Sequence, residues 1–289
     1  MEKRIVSLFT RSPLHVGAGN SVGTVDAPIQ RERHTRIPII PGSSLKGVLA
    51  DLWETKDSKR CPDAIWLFGN DDNNNAAAGA LLVGEARVLA FPVRSAKNSF
   101  AWITCPLALS RLKRDSGATL VVDKLPVDDK RCLASAELAL DGKVILEEYR
   151  FEVGGACPGD IVAELKKLGD DEVWATMPER LAIVSDEIFS YFVENACEVV
   201  TRIKIDDETG TVAGGALFNQ ELVPSETLLC AVVAAQDEKG KAGQKRPAAS
   251  ALGKLADKLA AAGNVIQAGG DATVGFGFCA VSMKGADHE

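Results

Sequence analysis

The sequence predicts an α+β fold, and three observations carry that expectation. Short β-branched runs open and close the chain, IVSLFT at residues 5–10 and NVIQAGGDATVGFGFCAVSM near the end. Segments with helical periodicity lie between them, SSLKGVLADLWE from Ser43 and SALGKLADKLAAAG at residues 250–263. Stretches dense in Gly and Pro punctuate both kinds of element.

Each element has its own justification. IVSLFT is strand-length and β-branched, so it opens the fold as a strand. Residues 11–42 hold too many glycines and prolines for a helix and read as one long loop, a length that in a compact domain goes with function or disorder. From Ser43 the pattern turns helical, with Leu45, Val48, Leu49 and Leu52 on one face and a serine expected at the N-cap. NDDNNNAAAG (70–79) is low-complexity, and residues 57–80 are expected to be a mobile insertion. LLVGEARVLAFPV (81–93) and SFAWITCP (99–106) read as strands. Residues 106–176 mix a short helix, weak strands and turns, and read as an inserted subdomain. PERLAIVSDEIFSYFVENA (178–196) reads as a single amphipathic helix. In VVTRIKIDDETGTVAGGALFNQELVP (199–224) two alternating runs flank DDETG, the pattern of a projecting β-hairpin. TLLCAVVAA (227–235) is a buried strand, QDEKGKAGQKRPAAS (236–250) a flexible polar loop, and the helix at 250–263 ends on glycine. The resulting β-α-β…α-β-α-β order is the ferredoxin-like pattern, spread with insertions over a single domain, residues 1–289.

Composition narrows the function classes. With 46% hydrophobic and 25% charged residues the chain is an ordinary globular protein. No apolar run reaches the roughly 18 residues of a membrane span. The start MEKRIVSLFTRSP lacks a signal-peptide core, so a cytoplasmic protein is expected. Seven cysteines without a CxxC pair read as reduced core thiols, and their spacing gives a zinc site no support. A net charge of −7 argues against a polyanion ligand, but the charge is uneven. Residues 1–50 hold seven basic side chains against three acidic ones, while the remainder holds 26 against 37. A basic working face on an acidic body follows.

The chemistry-bearing residues cluster near that basic start. VDAPIQRERH (25–34) gathers Arg31, Glu32, Arg33 and His34 around a lone Asp26. Asp26 is either a loop carboxylate in an Asx turn or arginine pair, or a carboxylate placed to bind a divalent cation or activate a hydroxyl. Just before it, Gly17, Gly19 and Gly23 fail the dinucleotide fingerprint, because Pro28, Pro38 and Pro41 forbid the helix that must follow. PGSSLKG sets Ser43, Ser44 and Lys46 in the first turn of a helix, an anion site or an ordinary cap with a solvated lysine. GGDATVGFGF supplies Gly269, Gly270, Gly275 and Gly277, a tight hairpin or a loop that lets a phosphate backbone approach. Phe276 and Phe278 offer at most one stacking face. His15 and His34 are each a proton shuttle or a satisfied structural histidine, and no HExxH or Ser-His-Asp pattern accompanies them.

SPLHVGAGNSVGTVDAPIQRERHTRIPIIPGSSLKG resembles the N-terminal signature of the RAMP superfamily. More narrowly, it resembles the family of backbone subunits of type III-B (Cmr) CRISPR RNA-guided effector complexes. VVTRIKIDDETGTVAGGALFNQELVPSETL and GGDATVGFGF extend the likeness, while residues 57–80, 113–176 and 236–248 carry little of it. The resemblance implies a ferredoxin-like or RRM-like palm with inserted subdomains and a hairpin thumb. It implies copies of the chain stacked along a guide CRISPR RNA, beside other effector-complex subunits, cutting the paired target RNA at regular intervals. Asp26 falls where the family's catalytic aspartate stands, and would also be the ligand of Mg²⁺ or Mn²⁺ completed by RNA phosphates. Cleavage would run by in-line attack of a 2′-hydroxyl, leaving a cyclic phosphate and a 5′-hydroxyl. Ser43, Ser44 and Lys46 would grip the guide, Gly269, Gly270, Gly275 and Gly277 would line its path, and Arg31 and Arg33 would hold phosphates. Phe276 departs from the pattern, since relatives often place a basic residue there. Two rival readings stand beside this one: a guide-binding scaffold that does not cut, and a metal-independent processing nuclease that uses His15.

Overall fold

The structure is a computed structural model that describes residues 1–289 apart from 20–22, 54, 57–58, 71–76, 124, 126, 206–211, 239–245 and 286–289. β1 (Glu2–Thr10) is buried throughout from Ile5 to Thr10. The long loop that follows ends in β2 (Ile39–Ile40) and α1 (Gly42–Ala50). Four two-residue strands, β3 (Thr55–Lys56), β4 (Lys59–Arg60), β5 (Gly69–Asn70) and β6 (Ala77–Ala78), surround α2 (Pro62–Phe68). β7 (Leu81–Val83), β8 (Ala86–Arg94), β9 (Phe100–Thr104) and α3 (Pro106–Ser116) come next. β10 (Arg131–Ala134), β11 (Lys143–Leu146), β12 (Tyr149–Gly155) and α4 (Gly159–Lys167) fill the middle of the chain. α5 (Met177–Arg180), β13 (Leu181–Ile183) and α6 (Asp186–Asn195) lead to the pair β14 (Glu198–Ile205) and β15 (Val212–Leu222). β16 (Leu228–Ala235), α7 (Ala248–Ala261), β17 (Val265–Gln267) and β18 (Phe278–Gly285) close the fold.

One large sheet runs in the order β11-β12-β10-β13-β9-β8-β16-β1-β18-β17, with β2 beside β8 and β7 beside β16. β1 lies between β16 and β18, antiparallel to both. Helices α3 and α7 both pack on β1, which is why its sequence is a continuous apolar run rather than an alternating one. β14 and β15 form a separate two-stranded sheet, from Glu198 opposite Leu222 to Ile205 opposite Val212. The DDETG turn expected at its tip lies outside the described residues. Phe9, Trp102 and Trp174 stack as tilted and edge-on rings at the heart of the core. Both indole N–H groups are used, Trp102 donating to the Glu226 carbonyl at 2.6 Å and Trp174 to that of Leu165 at 3.2 Å.

Two expectations are corrected. Residues 178–196 are not one helix: β13 splits them into α5 and α6. Leu181, Ala182 and Ile183 are fully buried between β9 and β10, and pairing on both edges overrides the local helical period. Ser185 then caps α6, accepting from the Ile188 amide at 3.3 Å. The N-cap of α1 is Pro41, with no side-chain cap bond. The helix starts early because Gly42 meets the sheet, where a Cβ would lie 2.5 Å from the Val83 carbonyl oxygen. The segment expected as a mobile insertion at 57–80 contains α2, whose Ala64, Trp66, Leu67 and Phe68 are buried; residues 57–58 and 71–76 lie outside the described residues. Within 106–176, β10, β11 and β12 continue the main sheet beyond β9 and β13. Of the polar loop expected at 236–250, Glu238 and Arg246 form an ion pair at 2.7 Å, residues 248–250 begin α7, and residues 239–245 lie outside the described set.

All seven cysteines are free thiols. Burial pushes those of Cys132, Cys157 and Cys279 up to about 12. Among the described residues no helix is long and apolar enough to cross a membrane.

Candidate functional site

The loop of residues 11–41 is bridged onto itself and onto β15. Leu14 exchanges backbone hydrogen bonds with Val223 at 2.8 and 2.9 Å, Gln30 donates to Val16 at 2.8 Å, and Ile39 to Gln30 at 3.0 Å. Two β15 residues, Asn219 and Glu221, then hold the loop's chemistry. The Asn219 amide donates to one oxygen of Asp26 at 2.8 Å, while Ala27 donates to the Asn219 carbonyl at 3.0 Å. The Glu221 carboxylate accepts from the Ile29 amide at 3.0 Å and from Arg31 at 2.6 Å. The Glu221 carbonyl accepts from Nδ1 of His15 at 2.8 Å. A carbonyl can only accept, so the His15 proton sits on Nδ1 and a neutral ring keeps Nε2 as its basic atom. Asp26 is exposed, and its second oxygen has no partner among the described residues.

Arg31 corrects the expectation of a phosphate ligand. Its side chain is 4% exposed and bonds Glu221, the Arg36 and Val193 carbonyls and the Cys197 sulfur. Burial alone would lower its pKa, but Cys197 and Glu221 outweigh that and hold the guanidinium charged. Arg33 is exposed and has no partner among the described residues. His34 is also exposed, 4.0 Å from the Glu32 carboxylate. Glu32 turns inward, to Arg87 at 2.9 Å, Arg111 at 3.0 Å and the Thr35 hydroxyl. Burial pushes its pKa up, and these donors outweigh burial and hold it below the ordinary value.

Ser43 and Ser44 are exposed and Lys46 half-exposed in the first turn of α1, with no side-chain hydrogen bond among the described residues. The helix packs against β17, which leads into the glycine loop. That loop folds onto the backbone of residues 13–15: Gly277 donates to the Pro13 carbonyl and Gly270 to that of His15, each at 2.9 Å. Gly269 has φ +75°, and a Cβ there would lie 2.2 Å from the His15 carbonyl oxygen. At Gly277, φ +78°, the clash with the Ala268 carbonyl would be 1.9 Å. Gly275 takes a left-handed conformation with open space around it. Between them Asp271 accepts from Gln220 at 2.6 Å and pairs with Arg202 at 3.0 Å. Arg202 lies over the Phe276 ring, 5.4 Å from its centroid. The root of the β14–β15 pair thus gathers Asp26, His15 and the glycine loop.

Sequence reasoning missed Glu32, Arg202, Gln220, Glu221 and Asp271. The acid in a basic run was a local signal for Glu32; the others meet partners far along the chain and left no local trace. No group of three or more His, Cys, Asp or Glu able to hold a metal ion occurs among the described residues.

The fold and site define an α+β chain on one broad sheet, with a hairpin and a glycine loop converging on a single exposed carboxylate. The chain belongs to the RAMP superfamily, whose family model matches residues 8–280. It is 37% identical over 291 residues to the CRISPR system Cmr endoribonuclease Cmr4 of Pyrococcus furiosus, an alignment covering 98% of this chain and 96% of that protein. It is 26% identical over 259 residues to the CRISPR system CMR subunit Cmr4 of Saccharolobus solfataricus, covering 79% and 83% of the two chains. The crystal structure of oligomeric Cmr4 from Pyrococcus furiosus superposes with a TM-score of 0.75 at 31% identity, over 99% of this chain and 100% of that one. A chain of the type III-B Cmr-beta complex bound to cognate target RNA shares the fold, with a TM-score of 0.73 at 21% identity over 98% and 96% of the chains.

Proposed function

We propose that this chain is a backbone subunit of a type III-B CRISPR effector complex. It binds guide RNA, stacks with copies of itself and other subunits, and cleaves complementary target RNA. The observation that carries the reading is Asp26, exposed, pinned through one oxygen by the Asn219 amide and without a partner for the other among the described residues, in a chain 37% identical to a named Cmr endoribonuclease. The strand order β8-β16-β1-β18, with α1 and α7 as connecting helices, supports a ferredoxin-like, RRM-like palm. The isolated β14–β15 pair, with Val199, Ile203 and Leu217 more than half exposed, supports a thumb. The cytoplasm, where transcripts are met, is the compartment that fits.

The donor set suits a divalent ion only as a shared site. Among the described residues Asp26 has one oxygen without a partner and no cluster of ligands around it, and Mg²⁺ commonly takes one or two carboxylates and completes its shell with waters and phosphate oxygens. Bound there, Mg²⁺ or Mn²⁺ would supply positive charge against the scissile phosphate. Asp26 draws off the 2′-hydroxyl proton, the 2′-oxygen bonds to phosphorus, and the bond to the 5′-oxygen breaks. His15, held through Nδ1, takes a proton from solvent at Nε2 and passes it to the departing 5′-oxygen. Ser43, Ser44, Lys46 and Arg33 hold the RNA backbone, and the loop carrying Gly269, Gly270, Gly275 and Gly277 lies along its path. Guanidinium charge at Phe276 comes from Arg202 of the hairpin instead of from the loop itself.

Cleavage of an end-labelled target RNA by the guide-loaded complex tests this, with and without EDTA. The expected products are regularly spaced fragments ending in cyclic phosphates, lost in EDTA and restored by Mg²⁺ or Mn²⁺. Target binding without cutting under any metal would mean a scaffold. Cutting that EDTA leaves untouched would mean the metal-independent chemistry in which His15 carries the reaction.

A further inference from the structure

Among the described residues no third named strand pairs with β14–β15, and the contacts that hold the pair to the loops lie at its root. There, three adjacent β15 residues bind two separate loops. Asn219 holds Asp26, Glu221 holds Ile29, Arg31 and His15, and Gln220, between them, reaches the glycine loop. Gln220 is buried, and both ends of its amide are used: Nε2 donates to Asp271 at 2.6 Å, and Oε1 accepts from Arg202 at 2.8 Å. Arg202 closes the triangle with its 3.0 Å ion pair to Asp271. Arg202 and Gln220 are diagonal neighbours across the two strands, so the triangle spans both strands and the loop.

Asp271 is unusual in its own right. It holds φ +63°, a left-handed conformation that aspartate and asparagine tolerate better than other side chains. It also places a carboxylate in a loop read here as lying along an anionic backbone, where an unpaired negative charge would repel the ligand. Arg202 cancels that charge. The hydrogen bond from Gln220 does most to hold the Asp271 carboxylate below its ordinary range; burial opposes it, and the charge of Arg202 adds to it.

We propose that Arg202, Gln220 and Asp271 form a positioning unit that fixes the hairpin root against the C-terminal glycine loop and, through the Asn219 amide, aims the Asp26 carboxylate. The inference rests on the reading of Asp26 as the cleaving residue. None of the three touches the reacting atoms; they act through β15. A carboxylate tethered by a single amide follows any shift of that strand, and small misplacements of a reacting group cost rate steeply.

Two substitutions separate positioning from bulk structure. Asp271→Asn keeps the left-handed tolerance and an acceptor for Gln220 but loses the ion pair; Arg202→Met keeps an unbranched stem of similar length but loses the guanidinium and its contact with Phe276. In the guide-loaded complex, each is expected to lower single-turnover cleavage by about tenfold or more while target affinity stays within about twofold. The double variant should fall no further than the worse single, because one unit is lost once. Amide exchange at Asn219 in the full chain should quicken in each variant. Unchanged cleavage, an affinity loss as large as the rate loss, or independent multiplication of the two effects would each overturn the proposal. Asp26→Ala run alongside keeps the two claims apart. If that variant is inactive while Asp271→Asn cuts normally, only the positioning unit fails. If Asp26→Ala cuts at the wild-type rate, the cleavage reading fails, and unchanged exchange at Asn219 would then sink the positioning unit separately.

Discussion

Asp26 and Glu32 stand six residues apart in one loop and have opposite environments. Asp26 is exposed with one oxygen free, whereas Glu32 is buried between Arg87, Arg111 and Thr35. The first is available for chemistry; the second holds the loop down. Glu32→Gln leaves two guanidiniums facing a neutral amide and is expected to destabilise the fold by about 2–4 kcal/mol, read by chemical denaturation. The pH dependence has a definite sign. A folded-state pKa held below the ordinary 4.5 contributes stability above that value and loses it as pH falls through the depressed one. Thermal melts should therefore show the wild type losing its advantage over Glu32→Gln as the pH drops from 4.5. Much at this scale was legible in VDAPIQRERH, since a lone acid among arginines, glycines and prolines marks an unusual loop. The inward turn of Arg31 was not legible, because its partner Glu221 lies 190 residues away. Nor was Asp271, whose partners Gln220 and Arg202 sit on another element.

Elements follow the same division between local and distant causes. The opening strand, the β14–β15 pair, β16 and α7 were legible, because period and turn residues are local signals. The break of residues 178–196 was hidden, since Leu181, Ala182 and Ile183 suit a helix face as well as they suit a strand between β9 and β10. Glycines divide sharply by context. Gly253 lies within α7 with nothing near its absent Cβ, so Gly253→Ala should raise stability by about 0.5–1 kcal/mol and the melting temperature by about 2 °C. Gly277→Ala should do the reverse and cost several times as much, because a Cβ there would overlap the Ala268 carbonyl in a left-handed backbone. Calorimetry of the two variants side by side checks both signs.

For the whole molecule, a net charge of −7 hides a basic first fifty residues on an acidic remainder. Guide binding should therefore be strongly salt-dependent despite the acidic total. Removing one phosphate contact by Lys46→Ala is expected to lessen the slope of log affinity against log salt by about 0.7. Arg31→Ala should leave that slope unchanged and lower thermal stability instead, since its guanidinium is spent inside the protein. The central claim, that Asp26 cuts target RNA, is tested most directly by Asp26→Ala in the guide-loaded complex, with target binding and cleavage measured together in Mg²⁺. The expected result is binding within about twofold of wild type and cleavage slower by about a hundredfold or more. Cleavage at the wild-type rate would contradict the claim and leave Asp26 as a residue that only ties the loop to β15.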